Sequence, residues 1–194
     1  MKRALDLAVA VPLLVILSPV LVALAAAVRL TSRGPAFHRA TRVGRDGRPF
    51  TMLKLRTMRA GPGAAITTRD DPRVTALGRA LRRARLDELP QLFNVVRGEM
   101  SIVGPRPEDP RFVALYSEEQ RAVLALRPGI TGAAQLVFRD EAALLDPADP
   151  EGSYVRAVLP RKLAIDLEYA RGRSLAGDLR IMGMTLRGQP KRGR

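Results

Sequence analysis

Two adjacent carboxylates, Asp87 and Glu88, open the stretch of this chain best suited to chemistry: Leu86-Asp87-Glu88-Leu89-Pro90-Gln91-Leu92-Phe93-Asn94. Four cations precede them within seven residues (Arg79, Arg82, Arg83 and Arg85), and Gly104-Pro105-Arg106-Pro107 follows. Leu89, Leu92, Phe93 and Val96 recur at helical spacing, and Gly98 stands where a helix would stop. Pro90 fits only the first turn of such a helix, because it has no N–H to give and its φ is already helical. The spacing therefore predicts Asp87 at or beside the N-cap and Glu88 in the first turn. Free backbone donors and the positive end of the helix dipole would favour an anion such as phosphate there. Taken singly, a capping Asp is an ordinary helix start and an arginine run an ordinary solvated face. Taken together, they suit phosphate and metal chemistry. Arg82 and Arg106 are the expected phosphate clamps, since a guanidinium fork matches phosphate oxygens bidentately. Pro105 and Pro107 restrict the backbone on either side of Arg106 and so limit where that fork points.

The chain that must position these groups has 194 residues, enough for one compact domain with a real core. It has no cysteine and a single histidine, His38, which excludes disulfides, thiolate sites and multi-histidine metal clusters. A metal here would be a hard, oxygen-bound cation, with Mg²⁺ the expected one. The formal net charge of +14 calls for an acidic partner: nucleic acid, anionic lipid or a phosphorylated substrate. Nucleic acid is disfavoured, because there is no Trp, aromatics are 4%, and no aromatic platform interleaves with the arginines. A homo-oligomer is compatible with the sequence.

Residues 4–28 are almost wholly apolar, interrupted by Asp6, Pro12 and the pair Ser18-Pro19, with Lys2 and Arg3 before and Arg29 and Arg33 after. Signal peptide, straight transmembrane helix and helical hairpin compete for this run. Ala23-Leu24-Ala25 resembles a cleavage site, but the run exceeds the 7–15 residues usual for a signal core, and dense positive charge follows it. A straight span has the right length, yet positive charge at both ends favours the cytoplasm for both. A helix broken at Ser18-Pro19 satisfies that. Its arms would reach about 20 Å and 16 Å, each too short for a ~30 Å hydrocarbon core. Pro19 withholds one backbone donor, and the Ser18 hydroxyl can take up a carbonyl freed by the break. Residues 1–30 are thus expected to enter one leaflet and return, leaving 31–194 as the catalytic domain.

Further along, Asp46-Gly47 signals a hairpin, and Phe50-Thr51-Met52-Leu53-Lys54-Leu55-Arg56 alternates as a strand with a basic outer face. Helices are expected over about 74–84, 111–126, 163–169 and 174–186, the last able to pack in the core or lie on a membrane. Arg127-Pro128-Gly129-Ile130-Thr131-Gly132 reads as a turn-rich loop. The expected fold class is α+β: mostly short helices, a small β element and the membrane-inserted hairpin.

Asp-Glu-Leu-Pro-Gln-Leu-Phe-Asn followed by Gly-Glu-Met-Ser-Ile-Val-Gly-Pro-Arg-Pro closely resembles the bacterial sugar transferases known as small monotopic phosphoglycosyl transferases. The likeness covers almost the whole chain. It extends to Lys54-Leu55-Arg56-Thr57-Met58, to the loop Asp70-Asp71-Pro72-Arg73, to Arg127 through Gly132, and to the Ser18-Pro19 break. It implies transfer of a sugar-1-phosphate from a UDP-sugar to undecaprenyl phosphate, on the cytoplasmic face of the bacterial inner membrane. It also implies Asp87 as nucleophile of a two-step route through an acyl-phosphate sugar, Glu88 as a holder of Mg²⁺ with Asp87 beside it, and Lys54, Arg56 and Arg73 on the side facing substrate phosphates or lipid headgroups. Ala84-Arg85 stands where family members commonly carry Thr-Ser, and Arg139 through Glu151 departs from the common pattern. The competing reading is a membrane-anchored basic module that binds anionic lipid or RNA without chemistry.

Overall fold

The computed structural model describes residues 1–59, 66–68 and 71–187. Helix α1 (Lys2–Thr31) leads into an antiparallel hairpin of β1 (Phe37–Val43) and β2 (Pro49–Leu55), in which His38 pairs with Lys54 across the strands. Asp46 and Gly47 both take positive φ (58° and 74°) in its turn, as the Asp-Gly signal predicts. Helix α2 (Ala76–Ala84) starts at Thr75, whose side chain accepts from the Gly78 N–H at 2.9 Å, and it ends at Arg85 in the left-handed conformation. A 3₁₀ turn over Leu86–Glu88 precedes α3 (Gln91–Arg97), closed by Gly98 at φ 85°. A second, parallel pair follows, formed by β3 (Ser101–Val103) and β4 (Gly129–Thr131). Between these strands lie α4 (Pro110–Val113) and α5 (Glu118–Arg121), and beyond them α6 (Ala133–Val137), α7 (Pro150–Ser153), α8 (Leu159–Arg171) and α9 (Leu175–Arg187). The class is α+β.

Three details differ from expectation. The helix expected over 111–126 is divided, because Ser117 and Gln120 form a reciprocal capping box that starts a new helix, α5, after Tyr116. The loop 127–132 contains β4, a strand too short to register as alternation. Lastly, α1 is one uninterrupted element through Ser18-Pro19, where two separate arms were expected. The Ser18 hydroxyl donates to the Val15 carbonyl at 2.8 Å, the carbonyl that Pro19 leaves without a partner, and the helix continues.

Both ends of α1 pack on the same body. Ala10 lies in a core with Leu92 and Val95 of α3 and Ile102 of β3. Leu21 and Val28 share another with Leu55 of β2 and Leu81 of α2. The middle turns its apolar side chains outward: Val15, Ile16 and Val22 are each more than two-thirds exposed. It is the one described helix long and apolar enough to cross a membrane. Helix α9 buries Asp178 and Ile181 against β3, β4 and α6, while Leu179 and Leu186 face outward.

Candidate active site

The site lies where α2, β2 and the turn after β3 converge. At Arg85 the chain adopts φ 55°, a conformation that strains a side chain with a Cβ. This ends α2 and re-aims the chain into the 3₁₀ turn that carries Asp87 and Glu88. Asp87 is therefore not the N-cap of α3. Pro90 occupies that position with helical φ and ψ and no side-chain cap, so the two carboxylates stand ahead of the helix rather than on its first turn.

Both are buried, yet they differ sharply. One oxygen of Glu88, Oε1, receives Lys54 Nζ at 3.1 Å and Arg106 Nη2 at 3.1 Å, and Arg85 lies 3.8 Å from Oε2. Burial pushes the Glu88 carboxyl up, but Arg106, Lys54 and Arg85 together outweigh it and hold it at about 2. Asp87 forms no ion pair within 4 Å among the described residues. Burial first, and then the Glu88 charge, raise its carboxyl above the ordinary range against the pull of Lys54 and Arg82. Lys54 is itself lowered by burial and by Arg106.

Each cation is aimed by its own element. Lys54 sits on β2, whose register is fixed from α3. Fully buried Asn94 accepts from the Leu53 N–H at 3.1 Å and donates to the Thr51 carbonyl at 2.8 Å, acting as a surrogate strand partner. Asn94 was part of the motif in the sequence, but nothing there assigned it a role. Arg82 donates through Nε to Thr57 Oγ1 at 2.8 Å, another partner the sequence reading missed. Arg106 follows β3, where Gly104 and Gly129 let two backbones approach too closely for any Cβ. Gly129 N–H donates to the Pro105 carbonyl at 2.8 Å, which pins the Pro-Arg-Pro turn.

Two expected phosphate binders form ion pairs or hydrogen bonds with other groups. Arg56 donates to the Ser32 carbonyl and hydroxyl at 2.7 and 2.9 Å, and so caps the C-terminus of α1. Arg73 is held by Asp71 at 2.6 Å. Asp70 lies outside the described residues. Pro107, like Arg56, lines the cavity onto which the site opens, a space of about 1080 Å³ bounded also by His38, Arg82, Arg85 and Glu108. Burial, then Lys54, Arg42 and Arg82, lower the His38 imidazole, so it is neutral there.

Among the described residues no group of three or more Asp, Glu or His side chains is arranged to hold a metal alone. Asp87 and Glu88 nevertheless suit Mg²⁺, since that ion accepts one or two carboxylates when substrate phosphates and waters complete its shell. Burial and the Glu88 charge both disfavour the ionised Asp87 carboxyl, and a cation bound beside it would offset that.

A buried carboxylate pair under four cations at the end of a cavity defines an enzyme site for a phosphorylated substrate. The chain belongs to the bacterial sugar transferase family, whose description matches residues 1–191. It is 41% identical over 191 residues to the UDP-glucose:undecaprenyl-phosphate glucose-1-phosphate transferase of Caulobacter vibrioides, covering 95% of this chain and 68% of that protein. It is 38% identical to the Escherichia coli protein of the same name, covering 96% of this chain but 39% of that one. The exopolysaccharide production protein ExoY of Sinorhizobium fredii is 37% identical, with 95% of this chain and 83% of that protein covered. The chain thus spans about two-thirds of one of these relatives and well under half of another.

Proposed function

We propose that this protein transfers a sugar-1-phosphate from a UDP-sugar to undecaprenyl phosphate at a membrane surface, with Asp87 as a covalent nucleophile. The observation that carries this reading is the inequality within the carboxylate pair. Glu88 is fully engaged by cations, while Asp87 is buried, raised and without an ion-pair partner among the described residues. The names of the relatives supply the substrate class. In the first step an Asp87 carboxylate oxygen bonds to the β-phosphorus, the bond from that phosphorus to the bridging oxygen breaks, and UMP leaves. In the second, a phosphate oxygen of the acceptor bonds to the same phosphorus and Asp87 departs as carboxylate, leaving the sugar on a lipid diphosphate. Arg82 and Arg106 orient the diphosphate, and Lys54 and Arg106 keep Glu88 charged beside it. Mg²⁺ held by Asp87, Glu88 and the donor's phosphates would supply further charge neutralisation.

The exposed apolar middle of α1, with both ends packed on one body, supports insertion into one leaflet with both ends on the cytoplasmic side. Single cysteines near positions 2 and 40 should label from the same side; labelling from opposite sides means a simple span.

The chemical test is incubation with a panel of UDP-sugars and undecaprenyl phosphate, measuring UMP release. Without acceptor, the protein should gain the mass of one phosphosugar on the peptide containing Asp87. An adduct elsewhere removes Asp87 as nucleophile.

A further inference from the structure

The large cavity is not uniformly basic. Glu108, which follows the Pro-Arg-Pro turn, and Glu141, which opens a 3₁₀ turn over Glu141–Leu144, both line it. Each is held by the same ammonium: Lys162 Nζ on α8 lies 2.9 Å from Glu108 Oε1 and 2.9 Å from Glu141 Oε2. Lys162 is buried, and its Nζ also donates to the Tyr154 hydroxyl at 2.8 Å. That hydroxyl in turn donates to Glu108 Oε1 at 2.6 Å. Burial, with Glu108 next, raises the Tyr154 phenol, so it keeps its proton and remains a donor. Two carboxylates against one ammonium leave a net negative corner in a chain of net charge +14.

A negative corner repels phosphate and accepts hydrogen bonds from hydroxyl groups. The corner also adjoins the phosphate clamp: the Arg106 guanidinium is held up by Glu88 first and also by Glu141 and Glu108. In a nucleotide sugar the hexose is bonded directly to the β-phosphate, whereas the ribose and base lie beyond the α-phosphate. Arg106 engages Glu88, the chain neighbour of Asp87, which in the reading above attacks the β-phosphate, so the hydroxyl-rich group that falls beside Arg106 is the hexose. We propose that the Glu108–Glu141 corner reads the hydroxyls of the transferred sugar, with Lys162 and Tyr154 as positioning residues that fix both carboxylates. The proposal rests on the nucleotide-sugar donor inferred above. It gives the segment beginning at Arg139, where the family pattern is lost, the task of choosing the sugar.

The test uses the full chain in membrane-like particles and the variant Glu141→Gln. The amide oxygen can still accept from Lys162, so the fold is retained, and a thermal melt checks this. UDP-hexoses differing in the configuration of one hydroxyl are compared by kcat/KM for UMP release, and inhibition by UMP is measured. The expected result is a change of about tenfold or more in the ratio of kcat/KM between two such hexoses, with UMP inhibition unchanged, because a hydrogen bond to a charged group discriminates by at least that much. Tyr154→Phe should move the same ratio in the same direction by less. An unchanged ratio overturns the assignment. So does an equal loss for every sugar with weakened UMP inhibition, which would give the corner to the nucleotide. If the unaltered protein accepts no UDP-sugar at all, the donor inference itself falls, and the corner's role falls with it.

Discussion

Two clusters of buried carboxylates sit at opposite extremes in this molecule. At the start of α1, Asp6 accepts from Ser101 Oγ at 2.8 Å and from the Ile102 N–H at 3.0 Å. Lys2 lies 3.4 Å from Asp6 and 2.8 Å from Asp178, and the Tyr169 hydroxyl donates to Asp178 at 2.6 Å. Both side-chain carboxylates there are 1% exposed. This cluster is sealed, and its donors all come from the chain. The pair at Asp87 and Glu88 opens instead on a cavity and stands among Lys54, Arg82, Arg85 and Arg106, more positive charge than two carboxylates can use. A sealed cluster whose charges face one another ties elements together, here the first turn of α1 to β3 and α9; an open one with unspent charge is arranged for a ligand that brings its own.

The comparison predicts opposite signs for removing a carboxylate. Asp87→Asn should reduce sugar transfer by about a thousandfold or more, since the nucleophile is gone, and abolish the covalent adduct. Its stability should not fall. A carboxyl raised in the folded state disfavours folding once ionised, a cost fully present above its folded value, so the neutral amide should melt at or above the wild-type temperature at neutral pH. A clear loss of stability would make Asp87 a structural residue and erase the contrast. Asp178→Ala should behave in reverse. It leaves Lys2 without its 2.8 Å partner and Tyr169 without an acceptor, and should cost on the order of 3 kcal/mol in denaturant unfolding. The fraction that remains folded should keep its affinity for a UDP-sugar.

The contrast between the clusters was only half visible in the sequence. Asp87, Glu88, Arg82 and Arg106 were legible because they crowd into two short motifs, and their order along the chain survives into space. The Asp-Gly hairpin and the bounds of α2 and α9 followed from turn chemistry and periodicity, which are local, whereas α8 runs over Leu159–Arg171, beyond the expected 163–169 at both ends. Asp6 registered as an oddity within an apolar run, since its partners Ser101 and Ile102 lie some hundred residues away and no local rule connects them. Lys162 lay hidden for the same reason: in the sequence it is one of two basic residues in Arg161-Lys162 on a helix, and its burial between Glu108 and Glu141 depends wholly on tertiary packing. Arg56 lines the cavity, yet its hydrogen bonds could not be foreseen. Its place in a basic strand face suggested phosphate, but the carbonyls at the end of α1 are nearer and need a donor.

Within the open cluster, Arg106→Lys retains the charge but loses the fork that engages Glu88 and the diphosphate together. We expect kcat/KM to fall by about ten- to a hundredfold, with little change in melting temperature, since an ammonium still neutralises part of the Glu88 charge. Full activity would remove Arg106 from the clamp.

The smallest effect should come from Arg82→Gln, and it should appear in the pH profile. Asp87 must be ionised to attack, so activity should rise with pH through its raised value, and the acid limb of kcat/KM reports Asp87. Glu88 cannot supply that limb. Its carboxyl is held at about 2, so its ion pairs contribute their stability above the ordinary glutamate range and lose it only as pH falls toward that value. The Arg82 cation favours the Asp87 carboxylate, and removing it favours the protonated form. The acid limb should therefore move to higher pH. Thr57→Val frees Arg82 from its 2.8 Å anchor without removing the charge, and should shift the limb less. A limb that stays in place in both variants would mean that the ionisation read in the profile belongs to another group, and Asp87 would lose the feature that most separates it from the sealed carboxylates at the start of α1.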